Sequence, residues 1–273
     1  MKGSDASVAQ ASVEAALEAM ITLFDTADVY GPDNGEPFGA AEALLGRVFA
    51  QSPALRDKIV LASKGGIEPG VPYNSSADYL ERACEASLRR LRVERIDLYQ
   101  IHRPDLLAHP AEVAAGLERL RLAGKIGEVG VSNHTPAQAA ALMAHLPFAL
   151  ASIQPEFSPL AIAPLGDGVL DQALEHGLAV LAWSPLGGGR VAQPRTEREI
   201  AVAEALDVVA AQAGVSRTVA TYAWIMAHPS GAIPIIGSQT PARIREAALA
   251  LEVEFSRTAW YAVLTAARAE PLP

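Results

Sequence analysis

Cysteine is almost missing from this chain: Cys84 is the single one in 273 residues. One thiol cannot build a disulfide framework, so a reducing compartment is expected. Cys84 falls inside a helix-like segment, where a free cysteine packs as a small hydrophobe. No apolar run reaches roughly 18 residues, which argues against a membrane span, and no signal-peptide pattern opens the chain. A cytoplasmic protein is the expectation. Basic residues are scarce too: 22 Lys and Arg face 31 Asp and Glu, leaving a net charge of −9. Such a balance suits a phosphate backbone poorly, so the expected partner is a small molecule and not nucleic acid. His109, His134, His145, His176 and His228 show no metal-ligand spacing, and no metal is expected. No low-complexity linker or charge block divides the chain, so residues 1–273 are expected to form one domain.

What is present is an alternation. Apolar runs of strand length stand at Ile21-Thr22-Leu23-Phe24, at 59–63, at 96–101, at 128–131, at 149–153, at 178–182 and at 232–236. Between them lie Ala- and Leu-rich segments of helical length, near 7–19, 38–50, 77–91, 110–123, 136–145, 168–176, 197–213, 217–227, 241–250 and 256–268. So many consecutive βα units close most naturally as a right-handed parallel barrel, and about 250 residues is the usual size of one. A doubly wound open sheet is the runner-up. It calls for a Gly-x-Gly-x-x-Gly turn after the first strand, whereas Gly187-Gly188-Gly189 comes far too late in the chain.

In a parallel α/β protein the C-terminal strand ends share one face, where the catalytic loops gather. Asp25, Tyr30, Lys64 and His102 each stand at or just past such an end. An ammonium beside a phenol favours the phenol's ionised form, and a carboxylate behind the ammonium holds it in place. The combination makes a tyrosine able to give or take a proton near neutral pH. Lys64 stands out further as one of four lysines in the chain.

The segments Phe24-Asp25-Thr26-Ala27-Asp28-Val29-Tyr30-Gly31, Ala62-Ser63-Lys64 and Asp97-Leu98-Tyr99-Gln100-Ile101-His102-Arg103-Pro104-Asp105 resemble the aldo-keto reductase family. The likeness continues, in order, through Gly130-Val131-Ser132-Asn133, Gln154, Trp183-Ser184-Pro185-Leu186-Gly187-Gly188-Gly189-Arg190 and Pro234-Ile235-Ile236-Gly237-Ser238. Around His102 and Trp183 it is strongest to a bacterial branch of oxidoreductases. The resemblance implies a (β/α)8 barrel that reduces aldehydes or ketones with NADPH. It makes Tyr30 the general acid, Lys64 the cation beside it, Asp25 the partner of Lys64, and His102 the residue that orients the carbonyl.

The same resemblance assigns the NADP(H) site. Ser132, Asn133 and Gln154 take the nicotinamide carboxamide, and Trp183 stacks on the nicotinamide ring. Ser184, Leu186 and Gly188 run beside the pyrophosphate. Ser238 and Arg243 match the site of the adenosine 2′-phosphate, for which arginine's planar fork of donors is suited, and Glu246 matches an adenine-side acceptor. Gly237 and Ala247 depart from the family, which often has lysine and asparagine there. A larger departure lies at the start: the family has a strand before its first helix, whereas Met1-Lys2-Gly3-Ser4-Asp5 leads straight into one. Seven strands are therefore expected, with an unpaired edge left in the sheet, and a shortened start is the favoured explanation. Two alternatives stay open at this point. One is a Schiff-base lyase using Lys64, and the other a nucleotide-binding barrel without turnover.

Overall fold

The computed structural model describes residues 5–271. It contains seven strands and ten α-helices among them: α1 (Ala6–Glu18), β1 (Leu23–Asp25), α2 (Ala40–Gln51), β2 (Val60–Gly65), α3 (Ala77–Leu91), β3 (Ile96–Ile101), α4 (Pro110–Leu122), β4 (Ile126–Ser132), α5 (Pro136–Met143), β5 (Ser152–Gln154), α6 (Val169–His176), β6 (Ala179–Ala182), α7 (Glu197–Ala213), α8 (Arg217–Met226), β7 (Ile233–Pro234), α9 (Pro241–Ala247) and α10 (Arg257–Arg268). Each apolar run and each helix-like segment of the sequence has its counterpart. The last stretch of 241–250 tightens after Ala247 into a 3-10 turn, Ala248–Glu252. No strand precedes α1 among the described residues; positions 1–4, where part of that expectation falls, lie outside them.

The chain divides after Ile153 into two compact units. In the first, β1, β2, β3 and β4 pair in parallel in chain order, in the registers Asp25 to Ala62, Lys64 to Gln100 and Gln100 to Gly130. In the second, β6 and β7 pair in parallel, Ala182 opposite Pro234. Parallel strands in chain order, each followed by a helix, make this an α/β fold of the (β/α)8 class with one strand fewer.

Local chemistry sets the helix ends. Thr135 with Gln138 and Thr196 with Glu199 form capping boxes, Asp5 caps α1 from its side chain, and Pro110, Pro136 and Pro241 open three helices where no N–H is needed. Burial follows the strands. In β2 and β3 nearly every residue is enclosed, as expected where helices cover a parallel sheet. In β1 all three are half-buried, and among the described residues of its unit it has a strand neighbour on one side alone. Cys84 is fully buried on α3, where burial pushes its thiol up to about 12. Among the described residues no helix is long and apolar enough to cross a membrane.

Candidate active site

Backbone pairing carries the chain past the end of β1 to Tyr30. Thr26 N–H donates to the Ala62 carbonyl at 3.0 Å and Asp28 N–H to the Lys64 carbonyl at 3.1 Å, so residues 26–28 continue alongside β2 after the strand has ended. A tight turn then closes with Tyr30 N–H on the Ala27 carbonyl at 3.3 Å, and the Tyr30 carbonyl accepts from Ala41 N–H in the first turn of α2. On the other side of β2, His102 N–H donates to the Gly65 carbonyl at 2.9 Å. The three strand ends thereby bring together Asp25, Tyr30, Lys64 and His102.

Lys64 is wholly enclosed, and its ammonium makes three contacts: Asp25 Oδ2 at 2.5 Å, the Thr26 carbonyl at 2.9 Å and Tyr30 Oη at 3.3 Å. These match the three donors of a charged lysine. Burial is the largest single influence and alone would discharge it, but the charges and hydrogen bonds of Asp25 and Tyr30 together more than offset it, and the Lys64 ammonium is held above its ordinary range. Asp25 is itself held from behind by Gln100 Nε2 at 3.2 Å. His102 meets Tyr30 edge to face, with ring centroids 5.7 Å apart at 86°. Burial first, and then the charges of Lys64 and Arg103, push the imidazole down to about 3, so His102 is neutral at physiological pH. Its Nδ1 is buried without a hydrogen-bond partner among the described residues.

Ser132 and Asn133 follow at the end of β4. Asn133 adopts a left-handed backbone (φ 58°), which asparagine tolerates better than most residues, and its Nδ2 donates to the His102 carbonyl at 3.2 Å and to Ser132 Oγ at 2.8 Å. These two residues therefore join the group around His102.

In the second unit, Gln154 is buried at the end of β5. Trp183 is half-buried just past β6, its N–H on the Pro155 carbonyl at 3.1 Å. The segment after it folds back on itself: Ser184 Oγ accepts from Gly188 N–H at 2.9 Å, and Gly187, Gly188 and Gly189 all take positive φ, a turn that side chains with a Cβ resist. Leu186 packs against a buried cluster of Val219, Tyr222, Ala223, Ala247 and Ala250, which joins this turn to α9. Arg243 lies exposed on α9, with no ion pair among the described residues, and Glu246 is half-buried a turn later. Ser238 Oγ accepts from Thr240 N–H at 3.2 Å just ahead of that helix.

Two residues escape the sequence reading. Gln100 supports Asp25, and its signal was its place: a polar side chain inside an apolar strand, two residues before His102 and so on the same face. Asp28 has the sequence context of a turn or cap residue; it does lie in the turn before Tyr30 but caps nothing, and it is buried. Asp105, in a similar context, does cap a turn, accepting from Ser75 N–H and Leu107 N–H.

Residues 2–266 match the model of the Aldo/keto reductase family, so a single family model spans both units. The chain is 59% identical over 261 residues to a 6-dehydroglucose reductase of Novosphingobium aromaticivorans, covering 96% of this chain and 86% of that protein. It is 36% identical over 273 residues to the oxidoreductase YdhF of Escherichia coli, covering 96% and 88%. A 6-dehydroglucose reductase of Agrobacterium fabrum is 35% identical over 278 residues, covering 97% and 91%. With a strand-end group of aspartate, tyrosine, lysine and histidine, and with a family model that runs nearly its whole length, the chain belongs to the aldo/keto reductase family of oxidoreductases, which work with a nicotinamide cofactor.

Proposed function

We propose that this protein reduces an aldehyde to an alcohol with NADPH, and that its substrate is a sugar aldehyde of the 6-dehydroglucose type. The observation that carries the reading is the enclosed Lys64 ammonium, 3.3 Å from Tyr30 Oη and anchored on Asp25. Bound NADPH supplies the hydride. The chain's own residues handle the proton and the charge. Tyr30 gives its hydroxyl proton to the carbonyl oxygen, and the tyrosinate left behind is stabilised by the positive charge beside it until solvent returns a proton. Asp25 and Gln100 fix the lysine. Neutral His102 offers an N–H to the carbonyl oxygen, orienting it without bringing a second positive charge.

The donor set of the second unit suits a phosphate-bearing cofactor. The exposed guanidinium of Arg243, without an ion pair among the described residues, would take the 2′-phosphate, with Ser238 beside it in sequence, and the three-glycine turn with Ser184 and Leu186 would follow the pyrophosphate. Within this unit Gln154 and Trp183 would meet the nicotinamide, and Glu246 the adenine. The sugar aldehyde rests on the names of two relatives, one of them sharing 59% identity. A lyase built on Lys64 is less well supported, since Schiff-base chemistry needs an uncharged amine and this one is held charged by Asp25.

Tyr30→Phe tests the reading. We expect kcat on 6-dehydroglucose to fall by about 10²–10⁴ while NADPH fluorescence titration shows binding intact; near-normal turnover would overturn it. Turnover absent from the unmutated protein that still binds NADPH would instead support a barrel that binds without catalysing. For cofactor choice, Arg243→Ala should weaken NADPH by about 1.5–3 kcal/mol and leave NADH little changed. Equal losses for both would place the arginine elsewhere.

A further inference from the structure

In the turn before Tyr30 sits a carboxyl group that takes no direct part in the reduction. Asp28 is 1% exposed, and neither of its oxygens has a hydrogen-bond partner among the described residues. The Val29 amide leans toward it without reaching hydrogen-bond geometry. The titratable groups that face it are Glu42 from α2, Tyr79 and Arg90 from α3, Lys64 from β2 and Tyr99 from β3. Both cations in that set are already committed: Arg90 Nε donates to Glu42 Oε2 at 2.7 Å, and Lys64 holds Asp25. Glu42, itself fully buried, also accepts from Ser63 Oγ at 2.5 Å.

Tyr99 is the natural companion of Asp28. Its hydroxyl is fully buried and likewise has no partner among the described residues. The two groups converge on Gly65, where a Cβ would stand 2.0 Å from Tyr99 Oη and 3.6 Å from Asp28 Oδ2. Any side chain there would be driven into the phenol. A carboxylate buried beside another buried carboxylate, with no donor of its own, is far less stable than the neutral acid.

We propose that Asp28 is a positioning residue for the Tyr30–Lys64 pair: a carboxyl group, set against Tyr99, that keeps its proton through neutral pH and so leaves Asp25 as the ionised partner of Lys64. The inference rests on the catalytic reading of that pair. Burial, and then the charge of Glu42, raise the Asp28 carboxyl to about 8. A second negative charge near Lys64 would spend part of its field, and the tyrosinate would lose some of its support.

Infrared difference spectroscopy, wild type minus Asp28→Asn, reads the proton without any assay. At pH 7 we expect the carbonyl band of a protonated carboxylic acid, fading as pH rises through about 8. Its absence at pH 7 means an ionised Asp28 and overturns the proposal. The kinetic arm compares kcat/KM for carbonyl reduction between about pH 6 and about pH 10. The alkaline limb of Asp28→Asn should fall at lower pH than that of the wild type, because no new negative charge arises to favour the protonated Tyr30. Superimposable limbs overturn the positioning role. Should Asp28→Asn fail to fold, Tyr99→Phe serves instead. The acid band should persist and fade at higher pH, since loss of the Tyr99 hydroxyl leaves a more apolar surrounding for the carboxyl; an unmoved midpoint overturns the pairing. If the wild type reduces no carbonyl at all, the catalytic reading fails, while the infrared band still decides whether Asp28 holds its proton.

Discussion

Lys64 and Lys125 each hold a carboxylate at 2.5 Å, Asp25 in one case and Glu85 in the other. By distance the two ion pairs are the same. By surroundings they are opposites: the side chains of the first are 0% and 5% exposed, those of the second 34% and 43%. Water screens the outer pair, and each of its members can let go and be solvated at little cost. Neither member of the inner pair has that recourse. Removing one strands the other in a medium where an unpaired charge is very costly, so the geometry around Lys64 is held by necessity. The lesson is that the enclosure, and not the contact, turns an ordinary ion pair into a fixed point from which a neighbouring phenol can be controlled.

The harshest way to break this comparison is Lys64→Met. We expect a loss of about 3–5 kcal/mol in urea unfolding, because Asp25 is left buried, together with a fall in kcat of about 10²–10⁴. Adding Asp25→Asn to that variant should recover much of the stability and none of the activity. A single variant that unfolds like wild type would show the inner pair to be as dispensable as an outer one.

A milder effect is expected at His102, which shares the enclosure. Its imidazole is neutral in the folded protein down to about pH 3, whereas in the unfolded chain it takes up a proton near its ordinary 6.5. Between those values the unfolded state binds the extra proton, so this residue's contribution to stability is complete above about 6.5 and declines as pH falls toward about 3. Replacing it by glutamine should flatten that acid slope in a series of urea titrations. A slope that survives would mean other groups carry it.

The smallest effect belongs to Lys125→Met. The ammonium is raised first by its hydrogen bond to Glu85, yet the pair stands in solvent, and its thermal midpoint should move little and less still in high salt. A shift rivalling that of Lys64→Met would erase the contrast.

Much of this was legible in the residues. Strands and helices announced themselves because hydrophobic period and capping chemistry agree, as at Thr196 with Glu199 ahead of α7. The four candidate residues, which the structure brings together, could be picked out because each sits beside a strand end, which is a local property. What stayed hidden was what depends on distant parts of the chain. Asp28 looks like a turn aspartate from its neighbours; only the packing of Arg90 and Tyr79, from a helix some fifty residues on, and of Tyr99 encloses it. Gln100 offered a polar letter in an apolar strand, but its partner Asp25 is separated from it by 75 positions. The tightening after Ala247 was invisible for another reason: 3-10 and α turns share nearly the same composition and differ by one residue in their hydrogen bonding.

The burial of Cys84 has a practical use. A lone thiol that is sealed in α3 and reluctant to ionise will ignore a maleimide or an aromatic disulfide while the helix is in place and react once the segment opens. The rate of its labelling is thus a clock for the opening of the first unit, already installed at one site. Any cysteine introduced on a surface loop would react ahead of it, so probes of distance or motion can be attached one at a time without first removing the native residue.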